Sequence, residues 1–175
     1  LQWKHKLSPR RTARWHKVNS HLLFPESDYT VWMDANLTIK PIHVLKTLLL
    51  PHLIDNPVAT FKHPGRSCVY GEAEACKRLK KDNPELINKQ MKAYRVAGYP
   101  PYNGLVETAC FLRRNCEEVD TLNKFWWQEI NSHSFRDQLS FNYVSWKHRI
   151  PYNIVPGKRE QSQFFNFRWH KRPGQ

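Results

Sequence analysis

Short runs rich in β-branched, aromatic and other apolar residues alternate along this chain with longer amphipathic stretches, and this alternation constrains the fold more than any other feature of the sequence. The short runs predict strands at residues 28–33, 58–61, 105–112 and 152–155. The helical spacing of apolar residues, bounded by Pro and Gly, predicts helices at residues 11–23, 41–49, 72–82, 85–97, 116–131 and 137–146. Alternating helices and strands imply an α/β fold in which helices flank a sheet. We therefore predict a single domain over residues 1–175, large enough to bury a sizeable core.

The net charge of +13 is concentrated at the two ends of the chain. Residues 1–17 contain six Lys or Arg and no acid, and residues 146–175 contain seven with one acid, so the ends carry +12 of the total. Such an arrangement indicates a local anionic partner, either the phosphate of a nucleotide, an anionic membrane surface or nucleic acid. The alternative interpretation is a pair of solvated tails, and we expect residues 158–175 to form a basic, flexible tail.

Neither the hydropathy nor the cysteine pattern predicts a membrane span or a disulfide scaffold. The most apolar stretch, residues 44–54, is interrupted by Lys46, Pro51 and His52 and is too short to cross a bilayer. No charged-then-apolar leader is visible, so we expect no signal peptide in this sequence. The four cysteines form no CxxC pair, and we expect them to be reduced and mostly buried.

The segment Asp34-Ala-Asn36 directly follows the first predicted strand. A carboxylate and a second oxygen ligand two residues apart can both point at one hard cation, and Mg²⁺ or Mn²⁺ accepts such oxygens while keeping positions open for a diphosphate. The same pattern is also typical of a simple turn in which Asp caps its own backbone. The spacing alone leaves both interpretations open.

A basic run occurs at Arg10, Arg11, Arg14 and Lys17. Arg14 and Lys17 are three residues apart and would share one face of the first predicted helix. Such a face can bind phosphate, Arg through its two-pronged guanidinium and Lys as a point charge. A solvated helix face explains the pattern equally well.

Two later segments carry side chains that suit a ligand site. In the loop at residues 62–66, Gly65 would let the backbone approach a ligand while His63 and Arg66 offer donors, although a single His in a loop is commonly structural. At the start of the last predicted helix, Asp137 is either a cap or a proton acceptor for a hydroxyl group, and Gln138 could hydrogen-bond a sugar.

The position of these segments relative to the strands supports a shared site. In open α/β sheets, ligands bind beyond the carboxyl ends of the strands. This rule directs attention to residues 34–36, to residues 63–66 and to the loop around Glu107.

A set of sequence blocks resembles a known family. The blocks lie at residues 14–21, 29–39, 61–66, 72–76, 104–107, 126–129 and 136–141. Together they resemble, in the same order, the glycosyltransferase-like domain long catalogued as a domain of unknown function, whose plant members are linked to seed mucilage and which has bacterial and viral relatives. Each block alone is unspecific, but the ordered set covers roughly residues 10–143.

The resemblance implies a GT-A-like, Rossmann-like fold with a mixed sheet flanked by helices, in which an Asp-x-Asp motif holds a metal on a nucleotide diphosphate. Here Asn36 stands where the second Asp is usual, and its neutral amide oxygen is the weaker ligand. The resemblance also implies a third metal ligand near the carboxyl terminus, for which we select His170 over His148. The family's first βαβ unit, which would hold the nucleobase, should precede Arg10, so we expect that the numbered chain omits it or that this domain cannot bind donor unaided.

The function implied by the resemblance is metal-assisted transfer of a sugar from a nucleotide-sugar to a glycan or lipid-linked hydroxyl acceptor. The metal, Mn²⁺ or Mg²⁺, would lie on Asp34, Asn36 and His170. The donor would contact Arg14, Lys17, Asp34, His63 and Arg66. The catalytic group would comprise Asp137 as acceptor base, with Gln138 and Glu107 lining the sugar pocket beside His63.

Two other function classes compete with this one. A metal-assisted hydrolase could use the same carboxylates and histidines without a nucleotide. A nucleic-acid-binding module would suit the aromatic residues among basic ones at Trp3, Trp15 and Trp169. We do not expect nucleic acid, because the charge is confined to the termini and no nucleic-acid-binding motif is present.

Asn36-Leu-Thr38 is an N-glycosylation sequon within the predicted metal site. An enzyme in a glycosylating compartment would risk blocking its own site, so we expect a cytoplasmic location. The basic ends also suit peripheral contact with an anionic membrane.

Overall fold

A computed structural model describes residues 7–40, 50–158 and 164–168. The described chain is a mixed α/β structure in which helices flank a four-stranded sheet, as predicted. The strands are β1 (Tyr29–Met33), β2 (Leu37–Ile39), β3 (Val58–Lys62), β4 (Val106–Arg114), β5 (Asn153–Val155) and β6 (Phe165–Phe167). The α-helices are α1 (Pro9–Val18), α2 (Ser20–Leu23), α3 (Val69–Arg78), α4 (Pro84–Val96), α5 (Glu117–Ser132) and α6 (Phe141–His148), and short 3₁₀ turns occupy Leu50–Leu53 and Asp137–Leu139.

The four strands predicted from sequence are confirmed, whereas three helices differ from the prediction. The helix expected at residues 72–82 begins earlier and ends earlier, at Val69–Arg78. The helix expected at residues 11–23 is divided into α1 and α2 at Asn19, whose side chain donates to the Trp15 carbonyl oxygen (3.0 Å). The helix expected from Asp137 starts as a 3₁₀ turn and becomes α-helical at Phe141. Strands β2 and β6 were not predicted. Residues 158–175 were expected to form a flexible tail, and this expectation is wrong for β6, which pairs with β2 in the structure. The helix predicted at residues 41–49 lies outside the described residues.

The sheet has the order β1-β4-β3-β5 and positions the predicted site segments at one edge. β4 is antiparallel to both β1 and β3, while β3 and β5 are parallel. The carboxyl ends of β1, β3 and β5 therefore meet the amino end of β4. At that edge the β3–β4 register shifts at Thr60, whose hydroxyl lies 2.7 Å from the carbonyl oxygens of both Glu107 and Cys110.

Two apolar cores form on the two faces of the sheet, because successive side chains of a strand point in opposite directions. On one face Phe111 of β4 packs against Trp126 of α5 and Phe141 of α6. On the other, Leu112 lies in a cluster with Phe61 and Phe165. Within the described ranges no helix combines the length and hydropathy needed to cross a bilayer. The prediction of a single domain over the whole chain stays a prediction.

Candidate active site

The Asp34-Ala-Asn36 segment forms the turn between β1 and β2 at the edge of the sheet. The Asp34 backbone N–H donates to the Ala109 carbonyl oxygen (2.8 Å), and the Leu37 N–H closes the turn on the Asp34 carbonyl oxygen (2.9 Å). The Asp34 side chain is 35% exposed, and its Oδ1 accepts from the indole N–H of Trp32 (2.9 Å). The turn thus holds a fixed carboxylate at Asp34 and, two residues later, the partly exposed Asn36.

The Lys17 side chain is buried next to this turn, between the carboxylates of Asp34 and Asp137. Its side chain is 1% exposed, and its Nζ lies 3.8 Å from Asp34 Oδ1 and 2.5 Å from Asp137 Oδ2. Arg14, one helical turn earlier on α1, places its Nε 3.0 Å from the other oxygen of Asp137. The predicted shared face of Arg14 and Lys17 is therefore present, and it faces Asp137.

The electrostatics of this cluster follow from burial and proximity. Burial lowers the pKa of Lys17, although Asp137 and Asp34 oppose that shift. Burial alone would raise the pKa of Asp137, but the charges of Lys17 and Arg14 outweigh it and hold that pKa well below the usual carboxyl range. At neutral pH Asp137 is therefore an ionised, paired carboxylate and a weak base.

Arg113 of β4 holds the end of α1, and with it the position of Lys17. Its fully buried guanidinium donates to the carbonyl oxygens of Lys17 (2.7 Å) and Val18 (3.1 Å) and to Asn123 Oδ1 (3.0 Å). These bonds satisfy carbonyl groups that the end of a helix leaves unpaired. Burial lowers the pKa of Arg113 to about 9.

The Asp137–Gln138 turn is bound to both α5 and β4. The Asp137 carbonyl oxygen accepts from the indole N–H of Trp126 (3.0 Å), and Gln138 Nε2 donates to the Val106 carbonyl oxygen (3.0 Å). Asp137 is 2% exposed and Gln138 is 9% exposed. The turn is thereby held against the amino end of β4.

The loop after β3 is organised around His63. His63 Nδ1 accepts from the backbone N–H groups of Gly65 (3.1 Å) and Arg66 (2.9 Å), so the neutral ring carries its proton on Nε2. That nitrogen lies 3.6 Å from Oε2 of Glu72, a buried carboxylate that also accepts from Arg66 Nε. The His63 backbone N–H donates to the Leu105 carbonyl oxygen (2.9 Å), which joins the loop to the residue before β4.

A cleft of about 870 Å³ opens beside this loop. Three tyrosines and two arginines contribute to its lining, namely Arg66, Tyr70, Arg95, Tyr99 and Tyr102. The Arg95 guanidinium lies 4.6 Å from the centre of the Tyr70 ring, and the Tyr70 hydroxyl donates to the Tyr99 carbonyl oxygen (2.7 Å). Tyr102 is 77% exposed and has a φ of 58°, a left-handed conformation that favours glycine. The cleft therefore offers aromatic faces together with charged donors.

The structure brings most of the predicted site residues to one edge of the sheet, in two groups. One group contains Asp34, Lys17, Arg14 and Asp137, and the other contains His63 and Arg66 with Glu72. Glu107, which is 9% exposed, and Gln138 lie at the amino end of β4. His170 lies outside the described residues. The catalytic and ligand-binding roles of all these residues stay predictions.

Sequence reasoning did not identify three supporting residues. Glu72 is in the first turn of a helix, where an acidic residue is usually explained by the helix dipole. Arg113 lies in a strand with no motif around it. Trp32 adjoins the Asp34 turn, and its position two residues before Asp34 was the only local indication that its indole could reach the carboxylate.

A metal site at the turn would have two protein oxygens. Among the described residues no group of three or more His, Cys, Asp and Glu side chains is arranged to hold a metal ion. Asp34 and Asn36 nevertheless offer a carboxylate and an amide oxygen on one turn, and Mg²⁺ commonly binds through one or two protein carboxylates with phosphates and water as further ligands. Asp34 and Asn36 fit a weakly bound Mg²⁺ or Mn²⁺ whose remaining ligands are the phosphates of a bound nucleotide and water.

Comparison with known proteins places the chain among glycosyltransferase-like sequences. The family model of the TOD1/MUCI70, glycosyltransferase-like domain matches residues 4–168. The chain is 30% identical over 149 residues to alkaline ceramidase TOD1 of Arabidopsis thaliana, covering 79% of this chain and 32% of that protein. It is also 30% identical over 147 residues to probable hexosyltransferase MUCI70 of the same plant, covering 77% of this chain and 25% of that protein. The chain thus matches about a third and a quarter of the lengths of these relatives, and no solved structure matches it.

Proposed function

This chain belongs to the TOD1/MUCI70 glycosyltransferase-like family, and from that membership we propose that it transfers a hexose from a nucleotide-sugar to a hydroxyl group of a glycan or lipid-linked acceptor. The observation that carries the proposal is that the Asp34 turn and the His63 loop follow β1 and β3, the two strands that flank β4, at the same end of the sheet. This edge is where open α/β folds bind their ligands. The match covers only part of the length of each relative. The activity of those whole proteins is therefore carried over to this chain only as part of the proposal.

The donor diphosphate is assigned to the Asp34 turn. Asp34 and Asn36 would hold a divalent metal, Mn²⁺ or Mg²⁺, which supplies positive charge to the leaving diphosphate. Lys17 adds a buried positive charge 3.8 Å from Asp34 and orients that carboxylate together with the Trp32 indole. Arg66, which is partly exposed beside His63, is the cation best placed to contact the donor.

The geometry favours a positioning role for Asp137 over the role of acceptor base that the sequence suggested. A base has to reach the acceptor hydroxyl and bind its proton. Asp137 is 2% exposed, is paired with Lys17 and Arg14, and has a lowered pKa. Glu107 and Gln138, at the amino end of β4, keep their proposed role of lining the sugar pocket.

The acceptor is assigned to the cleft beside Arg66. Carbohydrates expose both C–H faces, which pack on aromatic rings, and hydroxyl groups, which hydrogen-bond to charged donors. Tyr70 and Tyr102 supply such rings, while Arg66 and Arg95 supply donors. The cleft shares Arg66 with the His63 loop, so donor and acceptor would meet there.

The cellular location of the reaction is also part of the proposal. The sequon at Asn36 lies on the turn assigned to the donor, which favours a cytoplasmic enzyme. The basic ends of the chain favour peripheral contact with an anionic membrane that could carry a lipid-linked acceptor.

A melting-temperature panel of nucleotides and nucleotide-sugars, with and without Mn²⁺, tests the proposal. A ligand that binds the native state raises the melting temperature by mass action. We expect a metal-dependent shift with one nucleotide-sugar and its nucleotide diphosphate. The absence of any melting-temperature shift with every nucleotide and nucleotide-sugar would contradict the transferase assignment.

A second candidate, ceramide hydrolysis, is supported by the name of one relative, alkaline ceramidase TOD1. It requires no nucleotide. Release of fatty acid from ceramide by the same protein in the absence of any nucleotide, lost on replacement of Asp34, would favour this candidate over sugar transfer.

A further inference from the structure

We propose that a second cleft, which Arg14 lines, binds the phosphate groups of an anionic ligand. The cleft has a volume of about 660 Å³ and lies between α1, the end of α3 and the segment after α5. Five of its eight lining residues are cationic, and among these described lining residues there is no carboxylate. The cationic residues are Arg10, Arg14, Lys80, Lys81 and Arg136.

Two carboxylates adjacent in sequence to cleft residues, Asp82 next to Lys81 and Asp137 next to Arg136, are already bound to other groups. Asp137 contacts Arg14 but is also paired with Lys17, so Arg14 is only partly neutralised. Asp82 Oδ2 accepts from the Ser134 hydroxyl (2.6 Å) and the Phe135 backbone N–H (2.9 Å), which fixes the segment after α5. The cleft therefore keeps an excess of positive charge, and a multiply charged anion would relieve the repulsion among its cations.

The cations are held by a fixed framework. The Arg10 guanidinium lies 5.3 Å from the centre of the Phe135 ring. Arg11 donates to the carbonyl oxygens of His133 (2.7 Å) and Ile130, which ties α1 to the end of α5. These contacts fix the distance between the cleft walls before an anion binds. Binding therefore costs less conformational entropy.

Lys80 carries a separate indication that its side chain has a role. It follows the end of α3 with a φ of 50°, and the bonds from its N–H to the Lys77 carbonyl oxygen (3.0 Å) and from Lys81 N–H to the Cys76 carbonyl oxygen (2.9 Å) close the helix. Glycine occupies this position with the least strain. Lysine in this left-handed conformation lowers the stability of the protein relative to glycine. Its positive charge lines a cleft without carboxylates, which gives the side chain a role that glycine could not have.

Arg149 provides a matched control for Lys80. It has a φ of 55° after α6, with equivalent closing bonds from Arg149 N–H to the Trp146 carbonyl oxygen (3.3 Å) and from Ile150 N–H to the Ser145 carbonyl oxygen (3.0 Å). It is exposed and does not line the cleft. Lys80→Gly and Arg149→Gly therefore remove the same charge and the same strain at two places.

The test measures binding of inorganic pyrophosphate by calorimetry at low ionic strength for the wild type and both variants. Neither variant should lower the melting temperature, and relief of strain should raise it by up to about 2–4 °C. Lys80→Gly should weaken pyrophosphate binding about fivefold, and Arg149→Gly should leave it unchanged. Equal affinities in all three proteins would overturn the proposal, as would equal losses in both variants.

A parallel arm separates a soluble ligand from a lipid headgroup. Co-sedimentation is measured with vesicles of phosphatidylcholine alone and of phosphatidylcholine with phosphatidic acid. Binding to the acidic vesicles that Lys80→Gly weakens and Arg149→Gly preserves would identify a lipid headgroup as the source of the phosphate. Lys80-dependent binding of pyrophosphate without vesicle binding would identify a soluble phosphate ligand. Neither arm depends on transferase activity, so this inference and the proposed function can fail separately.

Discussion

Lys17 Nζ lies 2.5 Å from Asp137 Oδ2, and both side chains are almost completely buried. The pair joins α1 to the turn before α6, across 120 residues of sequence. A buried ion pair of this kind is sensitive to the loss of one partner, because the remaining charge is left without compensation.

Replacing Asp137 by Asn should therefore destabilise the protein by about 3–5 kcal/mol, since the buried ammonium of Lys17 loses its closest partner. Urea unfolding gives the free energy of unfolding of each variant. The double variant Lys17→Met/Asp137→Leu should recover most of the loss, because apolar side chains of similar volume need no ionic partner. A single variant as stable as the wild type would contradict the assigned pairing.

The same pair predicts a pH dependence. The pKa of Asp137 is lower in the folded state than the value of about 3.9 expected in the unfolded chain. Its stabilising contribution is therefore complete above about pH 4 and is lost as the pH falls through the lower folded-state pKa, because the unfolded state binds the proton first. The difference in unfolding free energy between the wild type and Asp137→Asn, measured across the acidic range, should shrink as the pH falls. A constant difference would show that Asp137 does not titrate in this way.

Asp34→Ala should abolish sugar transfer, by about a hundredfold or more, while the fold persists. The side chain is 35% exposed, and Lys17 keeps Asp137 as a partner, so the loss of stability should be small. Transfer is measured with the donor identified by the melting panel. Asp55→Ala, which removes an exposed carboxylate outside the site, serves as the control and should retain full activity.

His63 can be tested for a role beyond organising its loop. The carbonyl oxygen of Asn can replace Nδ1 as the acceptor for the Gly65 and Arg66 N–H groups, whereas Ala cannot. We expect His63→Asn to keep the melting temperature and His63→Ala to lower stability by about 1–2 kcal/mol. If Nε2 of His63 contacts the sugar donor, both variants should bind the donor more weakly than the wild type. Unchanged affinity in His63→Asn would restrict His63 to its structural role.

Tyr102 provides a test of the acceptor cleft. Tyr102→Gly removes both the ring and the left-handed strain, so stability should rise by about 1 kcal/mol while the acceptor KM increases about fivefold. Tyr102→Phe keeps the ring and should leave the KM unchanged. Initial rates at varied acceptor concentration measure this effect, and a fall in kcat at constant KM would place Tyr102 outside acceptor binding.

The sequence predicted the four strands of the larger sheet and most helices because their signals are local. The segment Tyr-Thr-Val-Trp-Met before Asp34 favours an extended strand, and the Asp-Ala-Asn segment favours a turn, with no help from distant residues. The helix at residues 11–23 was predicted as continuous because no Gly or Pro interrupts it, whereas in the structure it ends at Asn19, where Arg113 binds the last carbonyl groups of α1.

The site residues were found more readily than their partners. Asp34, Lys17 and Asp137 were each identified from their own segments. The sequence could not show that Lys17 is buried, since a basic run on a helix is usually solvated. Glu72 was missed for the related reason that its contacts with Arg66 and His63 depend on how the loop after β3 folds over α3.

The sequence by itself determined the strands of the four-stranded sheet, most of the helices between them and the family of the chain, because periodicity and ordered motifs are properties of neighbouring residues. Only the tertiary structure decided that Lys17 lies between Asp34 and Asp137 and that Tyr102 and Arg66 line one cleft. It also decided that five cationic side chains line a second cleft. Those contacts join segments that are distant along the chain. Their energies depend on burial and on interatomic distance, which are set only when the sheet order β1-β4-β3-β5 brings the segments together.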